Sequence, residues 1–166
     1  MELRSIEKAL KSYPRPARIQ FTKLLFHLNQ TNYWNNRFYG TTAACPCCNK
    51  AMEMFSHITT CPTKLATSSR LVSLLALQSD LDEIFTPKAL SKLVLDKLSG
   101  KPVESSSNME SLLSAQHKIG WEHFLTGHIS TQWQSHYSIL HTPSKHPKPA
   151  LWAAKFVSRI WKYSLS

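Results

Sequence analysis

All four cysteines of this 166-residue chain lie between Cys45 and Cys61, and their arrangement is the feature that most constrains the fold. Cys45 and Cys48 are separated by two residues, so both sulfurs can face one ion from a tight turn. His57 and Cys61 stand one helical turn apart and can complete a tetrahedron. The pattern Cys-x2-Cys-x8-His-x3-Cys therefore predicts one Zn²⁺ ion bound by Cys45, Cys48, His57 and Cys61.

Cys47 is the remaining cysteine, and it is adjacent to Cys48. The two can hardly reach one ion without strain, but Cys47 in place of Cys45 stays an alternative at this stage. The N-terminus lacks the apolar core of a secretory signal, so we expect an intracellular protein, cytoplasmic or nuclear, with reduced cysteines. A redox pair or chance clustering is the alternative to metal binding. Four ligands leave no open coordination position, so the zinc is expected to be structural.

Positive charge exceeds negative charge twofold, with 20 Lys and Arg against 10 Asp and Glu and a net charge of +10. No acidic residue occurs between Glu7 and Glu53, where basic and aromatic residues alternate. This mixture suits a phosphate backbone with stacked bases, whereas the alternative is a core of aromatics beneath solvated basic residues. The residues predicted to bind nucleic acid are Arg15, Arg18, Lys23, Arg37, Tyr39 and Lys50.

Apolar residues recur at helical spacing along most of the chain, which predicts a mostly α-helical protein built around the Cys/His motif. Thr86 is predicted to be the N-cap of one helix, with Pro87 at its first position, and Ser130 or Thr126 the cap of another. Gly120 is predicted to kink or break a helix. The predicted helices cover about 16–30, 64–85, 87–98, 109–119, 129–140 and 151–166.

These elements suggest four segments along the chain. Residues 1–62 hold a basic amphipathic helix and the zinc knuckle, and residues 63–140 form a helical region. Residues 141–150 form a proline-rich linker. The last segment, 151–166, is a helix that we expect to be truncated, because the chain ends inside a helical pattern. No apolar run reaches the roughly 20 residues of a membrane span, so no membrane association is expected.

No arrangement typical of a catalytic site is found, and we expect no enzymatic activity. Asp80 and Asp82 lie in a leucine stripe and point to different helix faces, which favours a solvated helix end over a metal pair. With only four glycines, the chain has no glycine-rich phosphate loop. His27 is expected to be structural. The spacing of the later histidines fits no single ligand face, and these are His117, His123, His128, His136, His141 and His146.

A resemblance to a known family is carried by three motifs between residues 35 and 62. They are Asn-Asn-Arg-Phe-Tyr-Gly at 35–40, Cys-Pro-Cys-Cys at 45–48, and His57 followed by Cys61-Pro62. This region resembles the zinc-binding region that follows the reverse transcriptase in non-LTR retrotransposon polyproteins, and Glu53 fills the acidic position of that pattern. Residues 119–133 and 152–161 look like segments that recur after such knuckles in retroelement-derived reading frames.

The resemblance implies a non-catalytic module from a retroelement polyprotein, which would help to hold template RNA or target DNA beside the polymerase. We expect binding of RNA or single-stranded DNA with little sequence specificity, in which Arg37 contacts phosphate while Tyr39, Phe38 or Trp34 stacks on bases. One rival hypothesis is a structural or protein-interaction domain, whose tryptophans pack in the core or against a protein partner. The other rival hypothesis is a retroelement remnant without present function.

Overall fold

The computed structural model describes residues 2–28, 31–103, 109–141 and 147–165. Within these ranges the fold is mostly α, as predicted, and the sole β pairing is an isolated antiparallel bridge between Ala44 and Met52. The helices are α1 (Leu3–Lys11), α2 (Arg15–Leu25), α3 (Asn32–Tyr39), α4 (Phe55–Ile58), α5 (Lys64–Glu83), α6 (Lys88–Leu98), α7 (Glu110–Ile119), a 3-10 helix (Trp121–Thr126), α8 (Gln132–Leu140) and α9 (Pro149–Leu165).

The last helix, α9, lies at the centre of the packing. It is longer than the predicted helix at 151–166 on its N-terminal side, and it contacts α1, α5, α8 and the 3-10 helix. Its Trp152 and Trp161 are fully buried, and so is Trp133 of α8. The indole of Trp161 donates to the Thr126 carbonyl at 2.8 Å, so burying it leaves no polar atom unpaired. These three tryptophans are therefore core residues rather than stacking platforms.

Helix α2 is shorter than the predicted 16–30, because the chain turns left-handed at His27 (φ 54°). The N–H of His27 donates to the Leu24 carbonyl and that of Leu28 to the Lys23 carbonyl, which is the hydrogen-bond pattern of a Schellman C-cap. Leu28, predicted to extend the apolar stripe, is consequently outside the helix and 48% exposed. The rest of that predicted helix, residues 29–30, lies outside the described residues.

Four of the described helices lie outside the predicted ranges, namely α1, α3, α4 and the 3-10 helix. Helix α1 packs on α9, and its buried residues are Ser5, Ile6 and Ala9. Its sequence is strongly amphipathic, so helical periodicity could have indicated it. Helix α3 has no buried residue, so no apolar periodicity marks it. Its C-terminus at Gly40 (φ 67°) uses the left-handed conformation that glycine adopts without strain.

The two predicted N-caps are wrong, including both candidates for the second. Helix α6 begins at Lys88 after Pro87, and the hydroxyl of Thr86 instead accepts the indole N–H of Trp152 at 3.2 Å. Helix α8 begins at Gln132, while Ser130 and Thr126 are buried in the preceding segment. A tertiary contact takes the hydroxyl only at Thr86. The Thr126 hydroxyl donates locally to the His123 carbonyl at 2.7 Å, and the Ser130 hydroxyl has no hydrogen-bond partner among the described residues. The break predicted at Gly120 is confirmed, because α7 ends there and the 3-10 helix follows.

Helix α5 matches its predicted range closely, but it is buried only toward its C-terminal end, at Leu77 and Leu81. There Asp80 pairs with Arg159 and Lys162 of α9, so this acid is neither solvated, as predicted, nor part of an acidic metal pair. The sequence also predicts a loop over 99–108, and residues 99–103 are non-helical, whereas 104–108 and 142–146 lie outside the described part of the chain. In that part, no helix combines the length and the apolarity that crossing a bilayer requires.

Candidate metal centre

A short hairpin presents the first two cysteines. The N–H of Cys45 donates to the Ala51 carbonyl and that of Glu53 to the Ala43 carbonyl, both at 2.8 Å. Between these bonds the chain reverses at Asn49 (φ 52°), a residue type that tolerates the left-handed conformation. The N–H of Asn49 donates to the Cys45 carbonyl at 2.8 Å and closes the turn. The spacing of two residues therefore turns both sulfurs toward the inside of the hairpin.

The four donor atoms of Cys45, Cys48, His57 and Cys61 lie within 4.8 Å of one another. Cys48 Sγ is 3.3 Å from His57 Nε2, and Cys45 Sγ is 4.0 Å from Cys61 Sγ. Sulfurs bound tetrahedrally to one zinc ion at ordinary bond lengths are about 3.8 Å apart. The cluster therefore fits a single four-coordinate metal ion, with His57 on α4 and Cys61 just before α5.

Backbone N–H groups make the two hairpin sulfurs good metal ligands. Hydrogen bonds from the N–H groups of Lys50 and Ala51 lower the pKa of the Cys48 thiol to about 6, with a smaller contribution from His57. Burial raises the pKa of the Cys45 thiol, although the N–H groups of Cys48 and Cys47 act in the opposite direction. Both sulfurs thus accept N–H groups from residues two and three positions later, an arrangement that favours bound thiolate.

The structure distinguishes between the two alternative ligands that the sequence left open. Cys45 is 3% exposed and belongs to the donor cluster, whereas the side chain of Cys47 is exposed and outside it. All four cysteines are unpaired thiols. Cys47 therefore contributes its backbone N–H to the site, not its sulfur.

Contacts outside the cluster hold its last ligand in place. Arg70 of α5 donates to the Cys61 carbonyl at 2.7 Å, which ties the loop after α4 to α5. Thr63 caps α5 by accepting the N–H of Ala66, and its hydroxyl lies 3.6 Å from Cys61 Sγ. Helix α5 thus carries one side of the metal site, although its sequence showed only an apolar stripe.

Helix α3 is attached to the hairpin at its first turn and to the end of α2 at its side. The N–H of Asn32 donates to Glu53 Oε2 at 2.6 Å, and the Asn32 side chain donates to the Ala44 carbonyl at 2.9 Å. The Trp34 indole donates to the His27 carbonyl at 2.9 Å, which joins α3 to the end of α2. The acidic position of the motif therefore caps a helix N-terminus, where a negative charge is favoured.

The residues predicted to bind nucleic acid are all on the surface, but they come from three elements. Arg15, Arg18 and Lys23 lie along one exposed face of α2, together with Ile19 and Thr22. On α3, Arg37 and Tyr39 are exposed, and Tyr39 is 77% accessible. Lys50 is exposed at the hairpin turn, where its backbone N–H bonds Cys48.

Three histidines that are distant in sequence come together beside α3, which their spacing did not indicate. The ring centroids of His27 and His123 are 5.8 Å apart, and those of His123 and His128 are 5.9 Å apart. Burial lowers the pKa of both His27 and His128, and His123 lowers each further. In the described ranges, only the Cys/His cluster brings its donor atoms within 4.8 Å, so the histidines do not form a second centre of that kind.

Sequence reasoning missed a cleft beside α3 that is lined by Thr31, Tyr33 and Phe55 among others. None of these residues stands in a recognisable motif, since the cleft forms only where α3, α4 and the 3-10 helix meet. Comparison of the chain with family models, with curated proteins and with solved structures finds no match.

Proposed function

We propose that the chain is a zinc-stabilised, non-catalytic module that binds RNA or single-stranded DNA inside the cell with little sequence specificity. The observation that carries this proposal is the exposed aromatic and basic face of α3, anchored directly to the metal hairpin. In keeping with the family resemblance of the knuckle motif, we propose an origin in a retroelement reverse transcriptase polyprotein.

The α3 face has the geometry of a stacking surface. The rings of Trp34 and Phe38 are stacked at 5.7 Å with an interplanar angle of 17°. The Arg37 guanidinium lies 5.9 Å from the Trp34 ring centroid, and Phe38 is 67% exposed. Exposed rings beside a cation suit unpaired bases, for which aromatic stacking contributes about 1–3 kcal/mol per base. Such stacking tolerates any base, which accounts for low specificity.

The basic residues of α2 are available for phosphate. In the described ranges, no carboxylate lies within ion-pair distance of Arg15, Arg18 or Lys23, whereas Arg159 and Lys162 of α9 are both paired with Asp80. Unpaired cations along one helix face release counterions when phosphates replace them, so binding gains free energy at low salt. The excess charge of the N-terminal third thus supports an electrostatic role.

Zinc is the metal that best fits three thiolates and one imidazole at these distances. The bound ion would hold the hairpin and α4 in place, and through Glu53 it would also fix α3. Its role is structural, because the four protein donors occupy every position of a tetrahedron.

The test measures zinc content and the binding of fluorescein-labelled U12 RNA and dT12 DNA at 50 and 200 mM NaCl. We expect one zinc per chain and affinity that falls at least tenfold with the added salt. The double variant Arg37→Gln/Phe38→Ala should bind both probes several-fold more weakly and retain its zinc. Salt-independent binding, or unchanged affinity of the double variant, would contradict the proposal.

A second candidate function, protein interaction, is favoured by one observation on α5. Its N-terminal part exposes Leu65, Leu71, Val72 and Leu75, each at least 56% accessible. An apolar strip of this kind on a surface helix is typical of a protein contact. A polyprotein neighbour or another protein partner would cover it. Sedimentation of the isolated chain and of Val72→Asp tests whether this strip drives association.

A further inference from the structure

We propose that the cleft between α3, α4 and the 3-10 helix binds one unpaired nucleobase, turned out of the strand that the α3 face holds. The cleft has a volume of about 390 Å³, which lies within the range of small-molecule pockets. This inference rests on the proposed function and names the part of the nucleic acid that enters the protein. The residues that carry it are His27, Thr31, Tyr33, Trp34, Phe55 and Leu125.

The walls of the cleft are aromatic. Tyr33 and Trp34 come from α3, Phe55 comes from α4, and His27 lies at the end of α2 with its ring 6.0 Å from Phe55. Several π faces around one cavity favour a flat ring as the occupant over an aliphatic chain. An aromatic base entering the cleft would bury apolar surface on both of its faces.

An unpartnered polar group lies in the same cleft. Thr31 is 4% exposed, and its hydroxyl has no hydrogen-bond partner within the described part of the protein. The neighbouring hydroxyls are engaged differently, since Thr59 and Thr60 both donate to the Ser56 carbonyl at 2.9 Å. Burying a hydroxyl without a partner is unfavourable, because its hydrogen bonds to water are lost and not replaced. The hydroxyl oxygen is closed to solvent here, so the edge of a base, which carries donors and acceptors, would satisfy it once the Thr31 side chain turns toward the cleft.

The charges around the cleft favour a neutral base inside it and a phosphate group outside it. The cleft is lined by the carboxylate-bearing Glu122 and by no lysine or arginine, so an anionic group would be repelled from it. Arg37 stands against the Trp34 ring on the adjoining α3 surface, where a phosphate is favoured. The arrangement therefore suits a neutral base inside and its backbone outside.

The cleft is held open by the elements that the metal site organises. Phe55 begins α4, the helix that carries His57, so one wall moves with a metal ligand. The opposite wall is fixed through the hydrogen bond from the Trp34 indole to the His27 carbonyl. Such preorganised walls lower the entropic cost of binding.

The experiment uses zinc-loaded full-length protein and a dT12 strand with one central 2-aminopurine, a fluorescent base analogue. Its emission should change on binding. Phe55→Leu and Thr31→Val should each remove most of that change and weaken binding of this strand roughly fivefold to tenfold. A strand of 12 abasic sugar phosphates, which has no base to enter the cleft, should bind both variants with the same affinity as the wild type. Phe26→Leu, at a phenyl that is 68% exposed and outside the cleft, is the matched control.

A 2-aminopurine response that is the same in Phe55→Leu, Thr31→Val and wild type would overturn the cleft assignment. Absence of any strand binding at 50 mM NaCl would instead overturn the proposed function. In that case free 2-aminopurine riboside tests the cleft by itself. A response to the riboside that Thr31→Val abolishes supports the cleft, and no response overturns it. Retained zinc content shows that each variant has kept the hairpin.

Discussion

The backbone N–H of Asn32 donates a 2.6 Å hydrogen bond to the carboxylate of Glu53, and this contact joins the first turn of α3 to the metal hairpin. One carboxylate thus satisfies an orphan N–H at a helix N-terminus and places a negative charge where the helix dipole favours it. The exposed aromatic face of α3 is positioned from a segment that carries two of the metal ligands.

Replacing Glu53 with Ala should loosen α3 without removing the metal. We expect a loss of about 1–2 kcal/mol in the free energy of unfolding, as for a lost N-cap, and a several-fold weaker affinity for dT12. Urea denaturation, zinc analysis and fluorescence anisotropy measure the three quantities. Asp82→Asn, at an exposed acid on α5, should change none of them, and an equal effect of that control would refute the anchoring role.

Substitutions at the adjacent Cys47 and Cys48 should have different effects on zinc content. Cys48→Ser removes a donor atom of the cluster, so zinc content should fall well below one per chain. Cys47→Ser changes an exposed thiol and leaves its backbone N–H in place, so zinc content should remain at one. Mass spectrometry of the native protein gives both values. Zinc loss in Cys47→Ser with retention in Cys48→Ser would show that the ligand set is wrong.

Gly127→Ala should destabilise the core by about 3 kcal/mol or more. The residue has φ 90°, and an added Cβ would lie 2.6 Å from Trp161 Nε1 and 2.9 Å from Val157 Cγ1. Gly100→Ala is the matched control, because φ is 75° there but no atom lies within 4 Å of the added Cβ. That variant should lose only about 1 kcal/mol in chemical denaturation. Equal losses would mean that backbone strain, not contact with α9, dominates.

Removing an unpaired cation should weaken nucleic-acid binding more than removing a paired one. Arg18→Gln is expected to reduce affinity for dT12 and to lower the slope of log K against log salt by about one unit. Lys162→Gln, whose amine is 2.8 Å from the Asp80 carboxylate, should leave that slope unchanged. Titrations at four salt concentrations provide the slopes. If Lys162→Gln lowered the slope and Arg18→Gln did not, the phosphate-binding surface would lie on α9 and not on α2.

Acidification should destabilise the fold through the buried His27 and His128. The pKa values of His27 and His128 are lowered first by burial and then by His123, so the folded state binds fewer protons than the unfolded chain. Their contribution is fully present above the unfolded value of about pH 6.5, and it declines as the pH falls toward the lower folded values. His123→Gln should therefore show a smaller loss of stability between pH 7.5 and 5.5 than wild type. His117→Gln, an exposed control, should keep the wild-type dependence.

The sequence predicted the features that depend on residues close together along the chain, and it did not predict those that depend on contacts between distant residues. The Cys/His spacing predicted the donor set that the structure brings together, because a tight turn and one helical turn are local geometries. Helices such as α5 and α6 were predictable from their apolar spacing, since local periodicity reflects a buried face. The spacing favoured Cys45 over Cys47 as a ligand, and the three-dimensional arrangement removed the alternative, because the exposed Cys47 side chain lies outside the donor cluster.

Tertiary structure alone decided the remaining features, for a common physical reason. The central position of α9, the anchoring of α3 by Glu53 and the cleft at Thr31 each depend on contacts between residues that are distant in sequence. Hydrophobic periodicity indicates which face of a helix is buried, but it does not indicate which other element that face packs against. The end of α2 at His27 is different, because a local left-handed turn with the hydrogen bonds of a Schellman C-cap overrode the apolar spacing that continued to Leu28.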